Sequence, residues 1–315
     1  MTGAIDSSGQ RFVAALERIQ ERIERAQRQI SSGLRVASPS DAPDQLGDLL
    51  LSKARLDLTA QTRLNLGRVK AEVDTAEQAL QSGVKILERA LALGVQGANT
   101  TQTPATRQTL GIEVQALLEQ MVAIANTAVE GRYVFSGDAD QTAAYQLDLS
   151  QPNGVSAYAG AAATRQIMHP AGTRFSIARS GEQIFDDSSA SVFAALNALR
   201  VALQNGPSVP QGDPAYEAQF AAQTAAIEQA LTDLHEAHAH LNTQLGFYGA
   251  VQNKVEEATD FAAKLEVREQ NLLSVIRDAD IAAAAVALTQ ATTHQQAALS
   301  ARAQMPRGSL FDYLG

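Results

Sequence analysis

Three histidines at HEAHAH, His235, His238 and His240, are the one clustering of metal-binding side chains in the 315-residue chain. A helical zinc-protease pair needs the second histidine four residues after the first, with a glutamate beside the first. Position 239 is alanine, so only His235 and His238 share a helical face, at i and i+3, and His240 points elsewhere. A solvated polar face is the expected reading, with no metal and no cofactor. His169 and His294 are isolated. No GxGxxG, P-loop or GxSxG pattern occurs, and Asp186, Asp187, Asp278 and Asp280 read as turn and cap residues. With no cysteine there is no disulfide, thiolate nucleophile or thiolate zinc site. No catalytic residue can be named, and the chain reads as structural rather than enzymatic.

The elements that would carry any site are helical. Hydrophobic residues make up 45% of the chain, charged residues 19% and aromatics 5%, with no tryptophan, so aliphatic and alanine packing must form the core. The net charge of −9 argues against nucleic acid as a partner. No apolar run is long enough to span a membrane, and MTGAIDSSGQRF has no apolar signal region, so no cleaved signal peptide is expected.

Phe12, Leu16, Ile19, Ile23, Ala26 and Ile30 are spaced 4, 3, 4, 3 and 4, a coiled-coil seam. Gly33, Pro39 and Pro43 interrupt it, and Ser40 or Asp41 offers a cap for a helix from about Asp44 to Val95. That helix carries Leu56, Leu64, Val69, Val73, Leu80, Val84 and Leu87. Thr103 and Pro104 open a third helix, to about Val129.

GRYVFSG (Gly131–Gly137) then breaks the helical composition. Seven of the fifteen aromatic residues lie between Tyr133 and Phe193, and VSAYAG, ATRQIMHPAG, TRFSIARSG and EQIFDD read as short β-prone pieces. Helix resumes near Ser191. Asp213 and Pro214 start a segment running to about Ile276, with a disturbance expected at LGFYGA. A last helix carries Ile281, Ala285, Leu288, Thr292, Gln295 and Leu299 at heptad-like spacing. SLFDYLG closes the chain. Neither terminal helix can bury its stripe alone. Spacing leaves open whether the two ends only pair with each other or also pack against other copies.

Several segments, in this order, resemble the bacterial flagellin superfamily, and most closely its hook–filament junction branch: ISSGLRVASPSDAP (Ile30–Pro43), GRYVFSG, ARSGEQIFDD (Ala178–Asp187), RDADIAAAAVALTQATTHQQAAL (Arg277–Leu299) and SLFDYLG. The opening MTGAIDSSGQRF departs from the family, lacking its usual Arg-Ile or Arg-Phe-Ser start.

The resemblance implies a mainly α fold, a long antiparallel helical rod with terminal coiled-coil helices and a small β-rich insert. Residues 1–36 and 277–315 would form an inner-tube domain, 37–137 and 188–276 the rod, and 138–187 the outer insert. It implies a structural subunit of the flagellum, self-associating in a tubular polymer and touching neighbouring axial proteins. Type III export would proceed with the help of a chaperone, and the location would be extracellular. Filament flagellin and a soluble coiled-coil scaffold are the alternatives. The implied assembly interface is Phe12, Leu16, Ile19, Ile23, Ile30, Ile281, Leu288, Leu299, Leu310 and Phe311. The rod–insert junction would be Gly131, Tyr133, Phe135 and Gly137, with the two aromatics pinning it and the two glycines permitting sharp turns.

Overall fold

The computed structural model describes residues 3–304, with side chains from residue 9. The described chain is mainly helical: α1 (Gly3–Ser32), α2 (Leu46–Ala98), α3 (Pro104–Ala125), α4 (Gly181–Phe185), α5 (Val192–Gln204), α6 (Tyr216–Arg277) and α7 (Ile281–Gln304). Two small antiparallel sheets complete it. One pairs β1 (Ala128–Val129) with β2 (Arg132–Tyr133), the other β3 (Gln166–Met168) with β4 (Arg174–Ser176).

Local chemistry sets these boundaries. The Thr103 hydroxyl accepts the Thr106 N–H at 3.2 Å, with Pro104 next in the chain, where its missing N–H costs nothing. Ser191 caps α5 through Ala194 N–H at 3.1 Å, and Asp280 caps α7 through Ala283 N–H at 3.0 Å. Asp41 does not start α2. Its carboxylate accepts Ala37 N–H and Ser38 N–H at 3.0 and 2.7 Å, closing a capping box over a short 3-10 turn at Pro39–Asp41, and α2 begins only at Leu46.

Further sequence expectations differ from the structure here: VSAYAG contributes only an isolated bridge, Val155 to Leu147, and α3 ends at Ala125, with Val129 in β1. EQIFDD is not a strand: Ser180 caps it into the single turn α4, which buries Ile184 and Phe185. Nor do the glycines of LGFYGA disturb α6, which continues through them because the turn's other side chains, Tyr248 above all, are locked in the core.

The chain divides into two compact units, residues 1–60 with 264–315, and residues 61–263. The second holds most of the core. Leu66, Val73, Leu80 and Leu87 of α2 recur every seven residues, as do Ile227, Leu234, Leu241, Tyr248 and Val255 of α6, and all are buried. A strict seven-residue repeat keeps one seam facing its neighbours along a long helix. Leu64, expected among the apolar positions of α2, is instead 59% exposed. It falls two residues before Leu66, off that seam.

The stretch 138–187 is not a unit by itself. Val134, Phe135, Tyr145, Val155, Ile184 and Phe185 are buried in the same cluster as α2, α3, α5 and α6. Six of the seven aromatics noted in the sequence, all but Tyr133, have joined the helical core rather than making a separate one.

Candidate assembly surface and the junction turn

The histidine cluster comes apart on α6. His235 Nδ1 lies 2.7 Å from the Leu231 carbonyl oxygen, and His238 Nε2 lies 3.9 Å from Glu88 of α2. His240 Nε2 donates to the Gln183 carbonyl oxygen at 3.0 Å. Among the described residues no group of three His, Cys, Asp or Glu side chains is placed to hold a metal, and no helix is long and apolar enough to cross a membrane.

In the terminal unit, α1 and α7 pack antiparallel. Arg302 stands 5.5 Å over the Phe12 ring near one end, and a small recess bounded by Arg22, Ala26, Ala291 and His294 lies further along. On α1 the seam read from the sequence faces the partner: Ile23 and Ala26 are buried, and Phe12, Leu16, Ile19 and Ile30 are half-buried.

On α7 the packed positions are Ala284, Leu288, Ala291, Thr292, Gln295 and Ala298, so Leu288, Thr292 and Gln295 of the expected set are packed and Ile281, Ala285 and Leu299 are not. Ile281 and Leu299 are 55% and 49% exposed, and Ala285 is exposed too. The reason is size. Alanines at 284, 291 and 298 let α1 approach closely and make room for its larger side chains, which rotates Ile281 and Leu299 onto the adjacent stripe. Leu310 and Phe311 lie outside the described residues.

The terminal unit is poorly satisfied by itself. Its buried apolar residues among those described are Ile23, Ala26, Val36, Ala42, Leu273, Ala284 and Ala291, two of them leucine-sized and five no larger than valine. Against these, Leu50, Leu51 and Leu58 of α2, Val267, Leu272 and Val275 of α6, and Ile281, Val286 and Leu299 of α7 are all exposed, Val275 most of all. Full burial of one such side chain is worth about 1.5–3 kcal/mol. Charge is segregated in the same way. Residues 1–60 and 264–315 carry thirteen basic and thirteen acidic side chains, while 61–263 carry twelve and twenty-one, so the whole −9 belongs to the second unit. A unit with no net charge can approach its own copies without the repulsion the acidic unit would meet.

Both chain segments leave the terminal helices together. Arg35 N–H and Val36 N–H donate to the Arg277 carbonyl oxygen at 2.7 and 3.1 Å, and Ala279 N–H donates to that of Gly33 at 2.9 Å. The Arg35 guanidinium adds a bond to Gln45 at 2.8 Å. The Ser274 hydroxyl and Arg277 hold the Asp278 carboxyl below the usual carboxylate range. ISSGLRVASPSDAP and RDADI are therefore two halves of one clasp.

At the junction turn, Glu130, Gly131 and Gly137 take φ of 52°, 78° and 61°. Phe135 is fully buried, edge-on to Phe185 at 5.3 Å and to Tyr248 at 6.3 Å. Its carbonyl oxygen accepts both Gly181 N–H at 2.7 Å and the Tyr158 hydroxyl at 2.8 Å. Tyr133 is half-buried and pairs by backbone within β2. Of the two aromatics, Phe135 is the pin. Nothing in the residue pattern points to Arg107, which is fully buried, bonded to Gln223 at 2.9 Å and Thr224 at 3.0 Å, and stacked 4.1 Å over Phe220. Burial lowers its pKa.

Comparison with known proteins matches this architecture. The family model of the bacterial flagellin N-terminal helical region fits residues 8–140, and that of the C-terminal helical region fits 224–314, together well over half of the chain. Flagellar hook-associated protein 3 of Escherichia coli K12 is 27% identical over 301 residues, covering 90% of each chain. Polar flagellin C of Vibrio parahaemolyticus is 32% identical over 124 residues, 38% of this chain and 32% of its own. Among solved structures, hook-associated protein 3 from Legionella pneumophila aligns with a TM-score of 0.62 at 16% identity, over 72% of this chain and 98% of its own. FlgL from Xanthomonas campestris aligns at 0.59 and 18%, over 73% and 100%. At those identities the structures speak to the fold. The chain belongs to the bacterial flagellin family.

Proposed function

We propose that this chain is a structural subunit of the bacterial flagellum that forms the hook–filament junction. The observation that carries this reading is the alignment with E. coli hook-associated protein 3 along 90% of both chains, whereas the V. parahaemolyticus flagellin aligns over about a third of either. The terminal unit supports it physically. Its α1–α7 pair leaves Ile281, Val286 and Leu299 in water, a surface suited to sister copies in a tubular wall. Neighbouring axial proteins above and below would complete the burial, and export would follow the flagellar type III route with a chaperone shielding the apolar α7 stripe. The work done is mechanical and architectural rather than catalytic.

Filament flagellin is the second reading, favoured by the flagellin matches themselves. Gold-labelled antibody on sheared flagella separates the two. Label at one point beside the hook is the expected result, and label along the whole filament overturns it in favour of flagellin.

A further inference from the structure

Two faces of the 61–263 unit are complementary, and neither is covered within one copy. The first is a trough between α5 and α6. Ala198, Val201, Ala202, Ala226 and Ala230 floor its main basin of about 630 Å³. Asp233 borders this basin and the adjoining one of about 350 Å³, where Glu236 also stands. From Tyr216 to Asn253, α6 carries Glu217, Glu228, Asp233 and Glu236 but no lysine or arginine. Asp233 accepts only the Gln229 amide, at 2.9 Å, and the Glu236 carboxylate has no partner among the described residues.

The second face is on α2. Leu64, Gly67, Arg68 and Ala71 recur at i, i+3, i+4 and i+7, and all four are exposed. The segment 61–71 has three basic residues and no acid. Arg68 also borders a recess of about 260 Å³ with Arg132, Arg165, Glu72 and Glu130. There Arg165 is tied to Glu72 and Arg132 to Asp140, and Arg68 alone of the three has no carboxylate partner among the described residues.

These faces cannot meet inside one molecule. His238 approaches Glu88, which sets the acidic trough level with that part of α2. Arg68 is twenty residues from Glu88 along a continuous helix, about 30 Å at 1.5 Å per residue.

We propose that a second copy of this chain lays its Leu64–Ala71 face into the α5–α6 trough, with Leu64 over the alanine floor and Arg68 against Asp233 and Glu236. The inference rests on reading the chain as an assembling subunit, and it adds where the bodies of two copies touch. The contact is heterologous, patch to different patch, so each copy keeps one face of each kind free and the row extends with a stagger along the helix axis. Opposite charges fix that register, and like charges brought together there oppose it.

The absence of cysteine makes a clean test. Flagella are isolated from the source bacterium carrying the full chain with Arg68→Cys and Asp233→Cys together, treated with a short bismaleimide, and run on a denaturing gel. A ladder of multimers is expected, with the single-cysteine chains giving none. Dimers from Arg68→Cys alone would mean that like faces meet, and overturn the proposal. Charge reversal supplies a second readout. Arg68→Glu and Asp233→Arg should each lower junction labelling about tenfold, and the two combined in one chain should restore it to within about threefold. Normal labelling at the hook with no ladder and no charge rescue sinks this contact while the junction reading stands. Absence of the wild-type chain from flagella sinks both.

Discussion

Replacing Gly137 by alanine tests the junction turn with a magnitude set by its surroundings. At φ 61° the new side chain occupies the left-handed region, at a cost of about 1 kcal/mol. Its Cβ would also stand 2.1 Å from the Ala161 carbonyl oxygen and 2.7 Å from that of Ala163. Both are backbone atoms. They are held in place by Ala161 N–H donating to Ser136 at 2.9 Å and Asp138 N–H donating to Ala163 at 3.1 Å. Relieving the clash means overpacking, at about 1–3 kcal/mol, and the loss of at least one of these bonds, at about 1 kcal/mol. The sum is about 4 kcal/mol. Gly131→Ala is the control: φ is 78°, but nothing lies within 4 Å of the added carbon, so only the backbone cost of about 1 kcal/mol applies. Urea unfolding of the full chain, followed by circular dichroism, reads the difference. With a slope of about 2 kcal/mol per molar urea, Gly137→Ala should lower the midpoint by about 2 M and Gly131→Ala by about 0.5 M. Equal shifts for the two would refute the steric argument.

Ile281→Asp and Leu299→Asp should leave monomer stability within about 0.5 kcal/mol, because both side chains already face water, yet abolish labelling at the hook. Ile23→Asp should melt the α1–α7 pair as well, a buried unpaired charge costing several kcal/mol, seen as lost helical ellipticity. Tyr145→Phe should be neutral or stabilising, since the buried Tyr145 hydroxyl has no partner among the described residues. Burial, with Asp186 next in effect, raises the Tyr145 pKa in the folded chain. Its stabilisation is therefore full below the unfolded phenol value of about 10 and is lost as pH rises above it, and the phenylalanine variant should flatten that alkaline decline. Arg107→Lys should cost about 2–4 kcal/mol by urea unfolding, because an ammonium cannot bond Gln223 and Thr224 while stacking on Phe220. Removing 1–32 and 277–315 should leave a cooperatively folded chain that no longer reaches the hook.

How much of this was legible beforehand depended on the range of the interaction. The α1 seam was readable because four-and-three spacing of Phe12 to Ile30 needs only the period of a helix. The α7 seam is only half legible: Leu288, Thr292 and Gln295 are packed as the spacing predicts, and Ile281, Ala285 and Leu299 are exposed. Alanine carries almost no hydrophobic signal, so Ala284, Ala291 and Ala298 do not stand out in the sequence, whereas the larger Ile281 and Leu299 do and yet face water. The seven-residue repeats from Leu66 and from Ile227 lay in plain sight, but other apolar residues between them obscured the register. Gly131 and Gly137 look alike in GRYVFSG, and only the fold brings the Ala161 carbonyl against one of them. Arg107 was illegible for the same reason: Gln223 and Thr224 are more than a hundred residues away.

In a lone chain the terminal unit leaves much of its apolar surface in water. Hydrogen exchange on the isolated full-length protein in dilute buffer tests this directly. Amides of α1 and α7 should exchange at least a hundredfold faster than those of α3 and α5, reflecting a gap of about 3 kcal/mol or more in local opening. Equal, full protection of α1 and α7 would mean that the ends already belong to the folded core and have no need of sister copies.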